Sequence, residues 1–185
     1  MGMMKKPVKK DRTIQEGSIR GLERRDRSRI AEIIVAAGRF NDREIKTALE
    51  LVDEALEGGE ASGYFFVLLE HGNEQPRLKG YACYGPAPLT HGTYDLYWIV
   101  VDPSGQRKGF GRRLLEFVEH DAAKRGGRML LIETSSQESY ISAILFYRRS
   151  GYRQVARIKN FYRIGDDKLV FMKELASNAG LISRQ

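Results

Sequence analysis

Residues 102–117 read DPSGQRKGFGRRLLEF, with Gly109 and Gly111 at what the spacing predicts to be the start of a helix. Glycine is a poor helix former. Its use there implies backbone that must approach something closely, or dihedrals that a Cβ forbids. Amides at a helix N-terminus bind anions, and Arg107, Lys108, Arg112 and Arg113 add cations around them. The stretch therefore predicts a phosphate-binding turn, and the rest of the chain must say what carries the phosphate.

The segments on either side supply the turn's setting. Upstream, TYDLYWIVVDP (93–103) is rich in aromatic and β-branched residues and reads as a strand over 93–101. Downstream, Phe110, Leu114, Phe117, Val118 and Ala122 fall on one face of a helix. RMLLIETSS (128–136) is a continuous apolar run, as expected of a buried central strand. SYISAILFYRRSGY predicts a short helix ending at Gly151, and the last strands flank a turn at Gly165–Asp166–Asp167. Toward the N-terminus, residues 18–26 read as a first strand and 26–38 as a helix. In the next helix Asn41 and Glu44 form a capping box and Phe40 and Ile45 a hydrophobic staple. Strands follow at 63–70 and about 78–85. The order β-α-α-β-β-β-α-β-α-β-β predicts one α+β domain over residues 14–176, a mixed central sheet of about seven strands flanked by about four helices.

The 185 residues, 42% hydrophobic and 30% charged, suit a single globular core. Residues 1–13 read as a disordered basic leader and 177–185 as a flexible tail. No apolar run is long enough for a membrane span or a secretory signal, so the expected address is cytoplasmic and no membrane partner is expected. The net charge of +7 suits anionic partners, but Lys5, Lys6, Lys9, Lys10 and Arg12 contribute much of it, which weighs against nucleic acid. Cys83 stands alone and reads as a small buried residue. His71, His91 and His120 have no metal-ligand spacing, so no metal is expected. The chain has no GxxxxGK[ST], and Leu114 stands where a dinucleotide fingerprint needs its third glycine.

At QRKGFG the chain resembles the GNAT superfamily of acyl-CoA-dependent N-acyltransferases, whose phosphate loop reads Gln/Arg-x-x-Gly-x-Gly/Ala. Gln106, Gly109 and Gly111 satisfy that pattern, and AILFYRRSGY is similar to the family's Ala, Tyr four residues later, then Gly-aromatic. The resemblance extends over about residues 18–175. It implies acetyl-CoA as co-substrate, its pyrophosphate held by amides from Arg107 through Lys108, Gly109, Phe110 and Gly111 to Arg112. It also implies that the preceding strand splays from its neighbour and offers Ile99, Val100 and Val101 to the thioester and pantetheine. Tyr147 matches the family's general acid, which would protonate the departing thiolate. Glu133 resembles the glutamate some branches use as base, and Asp95 on the preceding strand is the other candidate. Tyr140 departs from the pattern: many relatives carry a pantetheine-contacting Asn there, and Ser139 or Ser142 could take over that contact.

These readings imply transfer of an acetyl group to a primary amine, a small molecule or a peptide N-terminus. A non-catalytic acyl-CoA sensor or scaffold is the alternative, and a homodimer remains open. The acceptor pocket would be walled by the helices at 26–37 and 42–57 and the turn at 160–167. Phe40, Tyr64, Tyr84, Tyr97, Phe161 and Tyr162 could line it. Asp95, Glu133, Asp166 and Asp167 could attract an ammonium, and Arg157, Lys159 and Arg163 could hold a carboxylate.

Overall fold

The computed structural model describes residues 17–72 and 74–176, so the expected leader and tail lie outside the described residues. In chain order the elements are β1 (Ser18–Arg20), α1 (Asp26–Ala36), α2 (Asp42–Gly58), β2 (Phe65–His71), β3 (Arg77–Pro86) and β4 (Thr93–Val101). After them come α3 (Phe110–Lys124), β5 (Met129–Ser135), α4 (Ile141–Arg149), β6 (Arg153–Arg163) and β7 (Asp166–Glu174). All seven strands form one sheet ordered β1-β2-β3-β4-β5-β7-β6, antiparallel except for the parallel β4–β5 pair. This is the expected mixed sheet with four α-helices.

Period-2 alternation divides the apolar residues between two cores. On one face Ile30, Ile33 and Ile34 of α1 and Ala48 and Val52 of α2 pack on Phe66, Leu68, Tyr81, Cys83 and Val100. On the other, Leu114, Leu115 and Val118 of α3 and Tyr147 of α4 pack on Val67, Leu69, Leu96, Leu130, Ile132 and Phe171. The sheet is thus the middle of three layers.

The α2 start follows its sequence closely. Asn41 accepts from the amides of Arg43 and Glu44, and Glu44 accepts from the Asn41 amide at 2.8 Å. The first strand is shorter than the expected 18–26. After Arg20 the chain leaves the sheet, because the Arg20 guanidinium binds Asp26 and Glu70 and draws the start of α1 against β2.

Candidate active site

The strands β4 and β5 part company halfway. They pair from Thr93↔Met129 to Leu96↔Ile132 and no further, although β4 runs on to Val101 and β5 to Ser135. Beyond that point β4 stays bonded to β3 and β5 to β7, so one edge of each strand faces an opening. The break coincides with a bulge: Cys83 pairs with Trp98 and Tyr84 with Leu96, leaving Tyr97 without an opposite residue. The bulge also exchanges the two faces. Tyr94 and Leu96 join the α3–α4 core, whereas Val100 joins the α1–α2 core and Ile99 and Val101 turn toward α3. Along Tyr97–Val101 alternate N–H and C=O groups therefore point into the gap.

At the end of β4, Asp102 caps a single 3-10 turn at Pro103–Gly105, and the chain enters α3 through Gln106–Gly109. Arg107 (φ +60°) and Gly109 (φ +80°) are both left-handed, on either side of Lys108. Such alternation turns successive amides toward one side, as in a backbone anion nest. Amides from Arg107 to Arg112 donate no hydrogen bond to the described residues. The next, that of Arg113, is the first to bond back, to the Gly109 carbonyl at 3.0 Å.

The two glycines serve different ends. Nothing lies within 4 Å of a Cβ built on Gly109, so its left-handed dihedral is what requires glycine. A Cβ on Gly111 would meet Phe146 and Val101 at 3.7 Å, an ordinary contact. Alanine therefore fits there, in keeping with Gly/Ala at that place in the pattern. Arg107 and Lys108 are exposed, while Arg112 pairs with Glu116 and Arg113 donates to the Gly17 carbonyl.

Across the opening, α4 carries Tyr147, which is only 7% exposed and packs on Phe146, Tyr152 and Phe171. Its hydroxyl makes no hydrogen bond among the described residues, yet it is not among the sealed, unpartnered polar atoms. Burial pushes the phenol up to about 12, with the Arg39 cation pulling the other way. The neighbouring Tyr140 begins α4 and turns toward α2, its hydroxyl 3.3 Å from Glu44 Oε1. Ser139 and Ser142 are exposed.

Asp95 and Glu133 lie on the face opposite α3, and the Glu133 charge is felt at Asp95. Asp95 is half-buried, and burial followed by Glu133 raises its carboxyl above the ordinary value. Glu133 is 2.7 Å from Lys168 Nζ, which itself lies 3.8 Å over the Phe161 ring. Tyr162 is also raised, by burial and then by Glu133, Asp166 and Glu44, which marks one shared acidic neighbourhood.

Several expected lining residues stand elsewhere. Tyr84 is sealed in the α3–α4 core with its hydroxyl on Asp121, because alternation along β3 puts it on the same face as Ala82 and opposite Cys83. Asp166 accepts from Ser135, and Asp167 accepts from Arg157 and the Asn160 amide. These carboxylates clamp the β6–β7 turn rather than await an ammonium, and Arg157 is spent on the same clamp. Phe40 stacks edge-on against Trp98 at 5.2 Å, and Tyr64 against Tyr97 at 5.5 Å, on the expected side. Arg39, whose charge acts on both Tyr140 and Tyr147, is absent from the residues expected of the site. A lone Arg in an interhelical turn carries no sequence signal of its partners.

Among the described residues no cluster of His, Cys, Asp or Glu could hold a metal, and no helix is long and apolar enough to cross a membrane. Residues 61–154 match the family model of the acetyltransferase (GNAT) domain. A solved GNAT-family protein from Desulfovibrio desulfuricans is 43% identical, with a TM-score of 0.82 over 86% of this chain and 99% of that one. The ribosomal-protein-S18-alanine N-acetyltransferase of Escherichia coli superposes with a TM-score of 0.69 at 25% identity, over 91% of this chain and 99% of that one. In sequence, the Escherichia coli [ribosomal protein bS18]-alanine N-acetyltransferase is 34% identical over 73 residues, 40% of this chain. That match spans 48% of the length of these curated relatives. A Salmonella typhimurium protein solved with its cofactor acetyl-CoA, 21% identical at a TM-score of 0.66 over 91% of this chain and 99% of that one, shares the fold.

Proposed function

Because the chain belongs to the GNAT acetyltransferase family, we propose that it moves an acetyl group from acetyl-CoA to a primary amine by direct attack on the thioester. The observation that carries this reading is the parted β4–β5 pair, whose open edge runs straight into a turn of unpartnered amides. The turn at Gln106–Arg112 would take the pyrophosphate, with Arg107 and Lys108 adding charge. The free edge at Ile99, Val100 and Val101 would bond the pantetheine arm as a strand bonds its neighbour. An amide there would also stabilise the negative charge that grows on the carbonyl oxygen during attack.

Tyr147 is the proton donor to the thiolate. With its phenol held near 12 it keeps its proton at neutral pH. Glu133 accepts the proton from the amine, directly or through water, and Lys168 holds its carboxylate in place. Asp95 lies behind it as the second acid of the acceptor side. An acidic pocket walled by Phe40, Tyr64 and Tyr97 favours a cationic amine before it loses its proton. The acceptor we favour is the N-terminal amine of a polypeptide, a reading supported by the names of the relatives.

The test is thiol release from acetyl-CoA with a panel of small amines and peptides beginning with alanine. The expected result is release that depends on the amine, with an acetylated N-terminus as product. Acetyl-CoA binding without release for any amine would leave a cofactor-holding module instead.

A further inference from the structure

Asp102 ends β4 and opens the phosphate turn, and it is 8% exposed. Its carboxylate accepts from the Ser104 amide at 2.8 Å and the Ser104 hydroxyl at 2.5 Å, and from one Arg29 nitrogen. Its own amide and carbonyl hold the turn as well, bonding the Lys79 carbonyl at 2.8 Å and the Gly105 amide at 2.7 Å. The residue is therefore built into the loop's frame. Yet it sets a negative charge at the entrance of a loop whose amides are arranged for an anion. Burial alone would raise this carboxyl, but the bonds from Ser104 and Arg29 outweigh it and hold it below its ordinary value. The carboxylate stays charged.

Arg29 belongs to α1, on the acceptor-side face of the sheet. It spans Glu32 at 2.7 Å and Asp102, and comes within 3.5 Å of the Leu78 carbonyl. Its side chain is 34% exposed against 11% for Asp102, so the pair lies at the rim, partly out of water. Lys79, the other nearby cation, bonds Ser104 rather than the carboxylate. Among the described residues Arg29 is thus the cation that directly neutralises Asp102. Without it, a buried like charge would oppose any pyrophosphate arriving at Arg107–Arg112.

We propose that Arg29 is a positioning residue for the cofactor, cancelling the Asp102 charge and thereby tying an acceptor-side helix to the affinity of the phosphate turn. The inference rests on the acyl-CoA reading of that turn. Calorimetric titration with CoA tests it without needing the acceptor. Arg29→Met should weaken CoA on the order of tenfold, more at low than at moderate salt, and Arg29→Lys should retain most of the affinity. Adding Asp102→Asn to Arg29→Met should restore it, since Asn keeps an oxygen for the Ser104 amide and removes the charge. A purely structural role for Arg29 would not be rescued in this way. Parent-like affinity in a folded Arg29→Met protein, or a double variant as weak as the single one, would overturn the inference. Failure of the parent itself to bind CoA would instead remove the acyl-CoA reading, and this inference with it.

Discussion

The Tyr147 phenol is kept protonated by burial, so at neutral pH it has a proton to give. Tyr147→Phe keeps the ring contacts to Tyr152 and Phe171 and removes only the donor. Turnover should fall on the order of 10- to 1000-fold with CoA affinity nearly intact. Parent-like turnover would make Tyr147 a core residue only. At Glu133 the matching substitution is Gln, which keeps the shape but cannot take a proton. Its rate should fall most at low pH and recover partly as rising pH frees the amine in solution. A flat difference across pH would argue against the assignment.

Asp95 gives a prediction about stability. Its folded pKa lies above the unfolded value of about 3.9, so its protonated form suits the fold better than its charged form. Stability from this group is full below that unfolded value and is lost as pH rises through the folded one. Asp95→Asn should therefore raise the melting temperature at neutral pH, and the gain should shrink toward pH 4. A variant less stable than the parent at neutral pH would show that the carboxylate is compensated there.

At the scale of elements, much was legible. The capping box at Asn41 and Glu44 is local chemistry within four residues, and it forms as read. Asn41→Ala should cost about 1 kcal/mol, measured as a shift of the urea midpoint. An unshifted midpoint would mean that water satisfies the Arg43 and Glu44 amides equally well. Apart from the first strand, strands and helices carried by repeating apolar patterns lie within a few residues of their expected bounds. The parting of β4 from β5 was not readable in Tyr97–Val101, because those side chains look the same whether or not a neighbouring strand is bonded. The bulge at Tyr97, which exchanges the faces of β4 beyond Leu96, is a long-range register event. Glu44 is a further case: its cap is visible in sequence, but its second bond, to Tyr140 from an element 96 residues away, is not. Tyr140, which stands where the family pattern has Asn, reaches across to α2.

Across the whole molecule, the opening parts β4 from β5 in a sheet that has helices on both faces. Helices α3 and α4 bring the Gln106–Gly109 turn and Tyr147 from one face, and α1 and α2 pack on the other. Arg29 to Asp102 and Tyr140 to Glu44 join the layers at the edges of the site. We propose that this opening and the adjoining turn hold the acyl-CoA. A different cavity of about 520 Å³ lies along β2, lined by Leu56, Phe65, Phe117 and Arg125 among others, and it offers a fair competitor. The most direct measurement is a ¹⁵N chemical-shift titration of the full chain with acetyl-CoA. The largest shifts should fall on the amides of Arg107–Arg112 and Tyr97–Val101, saturating together as one site. Shifts centred on Phe65–Val67 and Phe117–Arg125, with the turn and β4 unmoved, would put the acyl-CoA in that cavity instead.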